Sequence, residues 1–280
     1  ANISQVTTTA NEGYGEDLAT WRAQDDRWYF LLLLSRQSGD IQVAASYVDT
    51  LTPNRLLVAQ TDDALAQTGA STADLASTLG SAGLALTRTA LVWHPTDTEF
   101  VDWALVGKIA GFDPGVPNWV HQGLASVTGS SSPTLSSTGI TALEAKRYTF
   151  LESYTAPVPP VSSTRGGKTL GGDWIDIVHG VDAINMALQI RVYGDALLNA
   201  NQPYRGGEPA IRGAMLGVLA SFEGAPGAAF LTAGSSVVTV PDASTQSEAN
   251  RLDRIYAGVE WTSTAQGKVN AVNITGFLEQ

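Results

Sequence analysis

The chain contains no cysteine, and charged residues make up only 15% of its 280 residues. The lack of cysteine excludes disulfide bonds, thiolate metal sites and a cysteine nucleophile. The longest apolar run, residues 28–34, is too short to span a bilayer. Lysine and arginine number 16 against 27 aspartate and glutamate residues, for a formal net charge of −11. This acidic balance argues against binding to nucleic acid or to an anionic membrane surface.

Segments with the patterns of strands and helices alternate along the first part of the chain. Residues 27–34 (RWYFLLLL) are apolar on both faces, which suits a central parallel strand covered by helices. The alternation predicts an α/β fold, α+β overall, with a three-layer core and parallel strands. The predicted strands are residues 27–34, 55–60, 88–93 and 147–154, and the predicted helices are residues 40–51, 71–79 (with Ser71 as N-cap) and 97–109.

Proline and glycine divide the rest of the chain. Residues 111–139 are rich in Pro, Gly and Ser, which predicts a long surface loop. The Pro-rich segment 156–160 predicts an extended joint between domains. The predicted organisation is an N-terminal arm at residues 1–15, an α/β domain at 16–155 and a C-terminal α+β assembly domain at 156–280.

The C-terminal half contains the longest predicted helix, residues 173–199, with Asp173 as N-cap. Its apolar stripe predicts that Ile184 and Leu188 are buried and that Asp182 lies on the opposite face. Further helices are predicted at residues 208–222 and 247–254. Residues 255–278 alternate apolar and polar side chains around a short Gly-containing loop, which predicts an antiparallel β-hairpin close to the C-terminus.

The positions of the histidines in the sequence give little indication of a catalytic site. His94, His121 and His179 have no second histidine or carboxylate at the spacing of a zinc motif. His94 follows a predicted strand, at the position where α/β enzymes place their sites, and Asp62 and Asp63 follow another strand. For each histidine a structural role is the favoured interpretation.

Two further features admit a functional and a structural interpretation. The segment GGKT at residues 166–169 resembles the end of a phosphate-binding loop, but Ser162 stands where that loop has its first glycine. A hairpin strand followed by a turn at Gly171 and Gly172 is the preferred interpretation. Trp119, within the Pro/Gly-rich segment, fits an interface anchor as well as a local plug of the loop.

Four stretches of the chain, taken in order, resemble stretches of a known protein family. The most specific is residues 171–189 (GGDWIDIVHGVDAINMALQ), a Gly-x-Trp-Ile-Asp signature followed by His-Gly-x-Asp at the start of a long helix. The others are residues 18–60, 147–154 and 245–278. Their order resembles that of the tail sheath proteins of contractile-tailed bacteriophages. Those proteins usually carry a longer N-terminal region, so the resemblance implies either a trimmed fragment or a short member.

The resemblance implies a structural subunit that polymerises around the tail tube and contracts to drive injection. It implies hexameric rings stacked helically, with the tail tube protein and the baseplate and tail terminator proteins as partners. The expected location is the virion tail, after assembly in the host cytoplasm. No enzymatic activity, cofactor or metal is expected, and neither nucleic acid nor membrane is an expected partner.

The sheath hypothesis predicts two groups of inter-subunit contacts. Arg251 and Arg254 precede the predicted hairpin and are expected to face acidic patches of a neighbour. Apolar residues of the return strand are expected to add to a neighbour's sheet. They are Val269, Val272, Ile274 and Leu278.

Two alternatives from other classes remain open at this point. One is an α/β hydrolase-like or metal-dependent enzyme that uses His94 with Asp62 or Asp63 at the strand ends. The other is a monomeric binding module with a Pro/Gly recognition loop. Self-assembly into polymers distinguishes both from the sheath hypothesis.

Overall fold

The computed structural model describes residues 14–124, 127, 135–154, 161–194, 204–268 and 270. The chain forms two compact units, each described by itself below. The N-terminal unit comprises Ala1–Phe112 and Pro117–Val178, and the C-terminal unit comprises Asp113–Val116 and His179–Gln280. The division at 178/179 lies later than the predicted boundary at 155/156, because residues 161–165 still pair within the first sheet.

The described N-terminal unit consists of a sheet with helices. Its strands are Phe30–Leu32 (β1), Leu56–Thr61 (β2), Thr89–Trp93 (β3), Thr149–Tyr154 (β4) and Val161–Arg165 (β5). Its helices are Tyr14–Gln24 (α1), Ser38–Asp49 (α2), Leu75–Ser81 (α3), Val101–Ile109 (α4) and Ser137–Ala145 (α5). Helix α1 includes the last two residues of the predicted N-terminal arm, and residues 1–13 of that arm lie outside the described residues.

The five strands form one sheet in chain order, β1-β2-β3-β4-β5. Strands β1 to β4 are parallel, and β5 runs antiparallel to β4. The predicted mixed α/β fold is therefore confirmed. The hairpin strand predicted around residues 166–169 lies earlier in the chain, at β5.

Both faces of this sheet are covered. Strands β2 and β3 are buried along their whole length. Leu57 and Ala59 belong to an apolar cluster with α1, α2, α3 and α5, whereas Leu56 and Val58 belong to a second cluster with α4. Alternate residues of a strand point to opposite faces, so helices flank the sheet on both sides, in the predicted three layers. Each fully buried Leu or Val contributes about 1.5–3 kcal/mol relative to an exposed one.

Side-chain caps explain where the predicted helix boundaries were wrong. Helix α3 has Asp74 as its N-cap and not Ser71, because the Asp74 side chain accepts a hydrogen bond from the Ser77 amide at 3.2 Å. Helix α5 was not predicted, since it begins inside the segment expected to be a loop. The Ser136 hydroxyl starts it by accepting the Gly139 amide at 3.1 Å.

The C-terminal unit contains short strands between helices. Its helices are Ile175–Arg191 (α6), which begins before the division at 178/179, Glu208–Phe222 (α7) and Glu248–Leu252 (α8). Its strands are Glu223–Gly224 (β6), Leu231–Thr232 (β7), Val237–Thr239 (β8) and Glu260–Thr262 (β9). Strands β6 and β7 pair in parallel, and β8 pairs antiparallel with β9.

The predicted hairpin at residues 255–278 is largely wrong where the structure describes it. Of its first strand only β9 is a strand, and β9 pairs with β8. The preceding residues are held by the Gln246 side chain, which accepts the Ala257 amide at 3.1 Å and donates to the Ala257 carbonyl at 2.8 Å. The return strand, residues 269–278, lies outside the described residues apart from Asn270.

Helix α6 confirms one part of its prediction and contradicts another. It begins at Ile175, after the expected N-cap Asp173. Ile184 and Leu188 are buried as expected, with 0% and 6% exposure. Asp182 is also buried, at 6%, so its prediction as a surface residue was wrong. Because Asp182 and Ile184 are both buried, this part of the helix is enclosed on more than one side.

The buried ring of Phe230 packs against two glycines of the C-terminal unit. A Cβ atom at Gly180 would lie 2.5 Å from the ring, and a Cβ atom at Gly115 would lie equally close. Carbon atoms that are not bonded do not approach so closely, so neither position has room for a larger residue. Gly115 additionally has a φ of +78°, which favours glycine.

We predict that Gly180→Ala destabilises the protein by about 1–3 kcal/mol in denaturant unfolding, through overpacking against Phe230. Alanine is otherwise the better helix former by about 1 kcal/mol. The matched control is Gly213→Ala in α7, where a Cβ meets nothing within 4 Å. That variant should be stabilised, and equal stabilisation of both variants would contradict the packing described here.

Candidate functional site

The carboxyl ends of β2 and β3, where an α/β enzyme would bind its substrate, are filled by the protein itself. Gln60 is fully buried at the end of β2. Its amide nitrogen donates to the carbonyls of Thr96 and Glu99, at 3.3 and 2.7 Å. Its amide oxygen accepts the Val101 amide at 2.8 Å, at the start of α4. Gln60 therefore binds the connection between β3 and α4 tightly over the strand ends.

His94, which follows β3 and is the first residue of that connection, is fully buried. Its Nδ1 lies 3.1 Å from the Thr96 carbonyl oxygen and 3.3 Å from the Thr96 amide nitrogen. Asp63 serves two main-chain groups, because one carboxylate oxygen accepts the Leu65 amide at 2.9 Å and the other accepts the Leu75 amide at 3.0 Å. Asp62 is exposed. The structure thus gives His94 and Asp63 local contacts that stabilise the fold.

An ion pair lies close to the same strand ends. The Arg36 guanidinium donates to both carboxylate oxygens of Asp102, at 2.7 and 3.0 Å. Both side chains are almost completely buried. Burial raises the pKa of Asp102, and the hydrogen bond from Arg36 opposes that rise. A bidentate pair in this position fixes the start of α4 against the segment after β1.

The segment GGKT does not form a phosphate-binding loop. Gly166 and Gly167 have φ of +102° and +77°, and a Cβ at Gly166 would lie 2.4 Å from the Tyr148 carbonyl oxygen. Lys168 bridges to Trp174, and its Nζ lies 4.7 Å from the centre of the Trp174 ring. Gly166 therefore allows close backbone packing, and the predicted hairpin strand ends before this segment, at Arg165.

Trp119 is a plug of its loop and not a surface anchor. Its side chain is 1% exposed and belongs to the apolar cluster on the α4 side of the sheet. Phe30 packs against it, with ring centres 5.9 Å apart. The Pro/Gly-rich segment accordingly folds its aromatic residue into the core of the N-terminal unit.

The surface around α8 contains the predicted contact residues Arg251 and Arg254. Ser247 caps the helix by accepting the Asn250 amide at 3.1 Å. The helix then ends in a Schellman motif. The Ile255 amide donates to the Asn250 carbonyl at 2.8 Å, and the Arg254 amide donates to the Arg251 carbonyl at 3.4 Å.

Four side chains at this motif are exposed to solvent, and together they form a surface that we call the α8 turn. Leu252 and Ile255 are exposed to 76% and 53%, which is unusual for large aliphatic residues. Arg251 and Arg254 are exposed as well. Sequence reasoning missed the apolar part, because Ile255 fitted a strand pattern and Leu252 fitted a helix face. The α8 turn thus consists of Arg251, Leu252, Arg254 and Ile255.

The two arginines of the α8 turn differ in their contacts. Nη1 of Arg251 donates to the Gln246 carbonyl, which holds its side chain against the segment before α8. For Arg254, the described residues provide no such hydrogen bond or ion pair. The other predicted contact residues, Val269, Val272, Ile274 and Leu278, lie outside the described residues.

The described residues contain neither a metal-binding cluster nor a helix that could span a membrane. Within residues 14–270, less the gaps given above, no three His, Cys, Asp or Glu side chains gather in a way that could hold a metal ion. None of the described helices has the combined length and apolarity needed to cross a membrane. No protein-family model matches the chain, and no curated protein matches it.

His179 in α6 gives a pH-dependent prediction. Burial lowers the pKa of His179 from 6.5 to about 4, although Asp182 acts to raise it. Below about pH 6.5 the unfolded chain therefore binds a proton that the folded chain excludes until about pH 4. Stability should fall as the pH falls through this window, by about 2 kcal/mol between pH 7 and pH 5 for this group.

We expect urea unfolding to show that His179→Gln loses less stability than the wild type between pH 7 and pH 5. Other groups titrate equally in both proteins, so the difference between the two isolates His179. An identical loss in both would contradict the effect of burial.

Proposed function

We propose that the chain is a structural subunit of a contractile phage tail sheath, which polymerises around a tail tube and contracts to drive injection. The observation that carries the proposal is the α8 turn, which lies in the last of the four resembling stretches. Exposed large aliphatic side chains beside arginines fit the composition of protein interfaces. In an acidic chain, these basic and apolar groups suit contact with other copies.

In this proposal the subunits form hexameric rings that stack helically. Residues 269–278 would add a strand to a neighbour's sheet, since backbone hydrogen bonds between strands give such an added segment a strong attachment. Contraction would be a rigid-body rearrangement of subunits that stay linked by such segments. The energy would be stored in the extended assembly, and the tail tube, baseplate and tail terminator proteins would be its partners.

The strand ends support this proposal over an enzyme. A general acid or base must come within hydrogen-bond reach of its substrate. His94 is fully buried at the start of the connection between β3 and α4, and Asp63 is engaged by two main-chain amides. The sheet also keeps chain order, whereas open α/β sheets bind ligands where strand order reverses.

The binding-module hypothesis receives no support from Trp119, an aromatic residue of the Pro/Gly-rich segment. A recognition loop presents its aromatic side chain to a partner. Trp119 is instead 1% exposed.

The proposal predicts that the purified full-length protein forms tubes, visible by negative-stain electron microscopy. Deleting residues 269–280 should leave a folded monomer that makes no tubes, because the added strand is lost. Circular dichroism of the deletion variant provides the control for folding. Normal tubes from the deletion variant would contradict strand addition, and a full-length protein that stays monomeric at high concentration would contradict the sheath function.

A second prediction separates the proposal from the enzyme hypothesis. Titration calorimetry with ATP-Mg²⁺ and with Zn²⁺ should reveal no site tighter than about 1 mM, a free energy of about −4 kcal/mol. A stoichiometric micromolar site that is lost in Lys168→Ala or His94→Ala would support an enzyme instead.

A further inference from the structure

Four residues other than glycine adopt a left-handed backbone conformation in the described chain. They are Leu86, His121, Arg147 and Arg254, with φ between 55° and 65°. This conformation brings the Cβ atom too close to the following carbonyl oxygen, so it persists where surrounding structure compensates for the strain. The contacts that compensate for the strain at these residues are therefore informative.

Arg147 and Arg254 occupy the same position in the same motif. Arg147 follows the C-cap of α5, with the Arg147 amide bound to the Glu144 carbonyl at 3.0 Å and the Tyr148 amide bound to the Leu143 carbonyl at 2.9 Å. Glycine is the usual residue at this position of a Schellman motif. The chain thus twice places arginine where glycine would fit without strain.

For Arg147 the structure contains the compensation. Its Nη1 donates to the Leu170 carbonyl, and its guanidinium lies against the backbone of Gly172. Leu86 is compensated by burial, at 4% exposure, and by its amide, which donates to an Asp49 carboxylate oxygen at 3.0 Å. In both cases the side chain or backbone of the left-handed residue is used inside the N-terminal unit.

Arg254 has the same strain and, in the part of the chain that the structure describes, its side chain makes no hydrogen bond or ion pair. It lies between Leu252 and Ile255, which are exposed to 76% and 53%. A glycine here would relieve the strain and cost the monomer no hydrogen bond that the structure describes. An arginine in such a place is explained by a partner that its guanidinium contacts.

The geometry points to Arg254 as a specificity-determining contact through which the α8 turn docks on a carboxylate of a second copy of this chain. Charge supports this choice of partner, because the chain carries 27 acidic against 16 basic residues and a formal net charge of −11. Leu252 and Ile255 supply the apolar area beside the ion pair, and Arg251 is held in place by the Gln246 carbonyl. The inference rests on the proposed self-assembly, although not on the tubular form of the assembly.

The test compares full-length wild type with Arg254→Gly and Arg254→Lys. Arg254→Gly should raise the melting temperature of the monomer by about 2 °C, because the strain is removed. The same variant should self-associate about tenfold more weakly in sedimentation velocity at low salt. Arg254→Lys keeps the charge and should self-associate within about threefold of the wild type.

Arg147→Gly is the matched control, since it has the same residue, conformation and motif. It loses the bond to Leu170, so its melting temperature should not rise, and its self-association should equal that of the wild type.

The outcomes separate this inference from the sheath proposal. Wild-type self-association in Arg254→Gly, or a lower melting temperature of that variant, would overturn the inference and leave the sheath proposal standing. Self-association that weakens in Arg254→Gly without any tubes in the wild type would support the inference and contradict the sheath. A wild type that does not self-associate would overturn both.

Discussion

The N-terminal unit depends on one constraint, which is that β2 and β3 have no face open to water. Polar groups at the ends of such strands must find partners within the protein, because an unsatisfied buried group costs about 1–3 kcal/mol. Gln60 meets this need by binding the loop before α4 on one side and the first amide of α4 on the other. The ion pair between Arg36 and Asp102 likewise satisfies buried polar groups at the start of the same helix, α4. The side chains of Gln60, Arg36 and Asp102 are consequently engaged in contacts that stabilise the fold.

The chain has glycine at some crowded backbone positions and arginine at other positions whose conformation favours glycine. Gly166 and Gly180 are glycines because a Cβ would collide with the Tyr148 carbonyl or with the Phe230 ring. At Arg147 and Arg254 the conformation would favour glycine, yet the side chain is kept. The glycines are thus required by neighbouring atoms that leave no room for a Cβ. An arginine in a strained backbone conformation has to be explained by the contacts of its side chain.

The sequence predicted the sheet better than the helix caps, and it did not predict the exposed apolar side chains of the α8 turn. Strands β2 and β3 are continuous apolar segments, so their positions followed from hydrophobicity alone. The start of α4 depends on Gln60, a residue far away in the chain, and local patterns do not contain that information. Residues 255–259 alternate like a strand, but the Gln246 side chain holds Ala257 and Ile255 is exposed, so the alternation indicated neither the burial nor the hydrogen-bonding partner. Arg254 was selected by the family resemblance, while its backbone strain became visible only in three dimensions.

The distribution of basic residues connects the fold with the proposed assembly. Arg36 and Lys146 are paired with the carboxylates of Asp102 and Asp74 inside the N-terminal unit, both at 2.7 Å. Both pairs are almost completely buried, which leaves little of their charge for a partner. In the C-terminal unit Arg251 and Arg254 are exposed. Acidic copies that approach one another repel unless basic groups lie at the contact, and complementary charges then select the register and speed association. Under the proposed self-assembly, Arg251 and Arg254 are therefore groups that we expect at a contact between acidic copies.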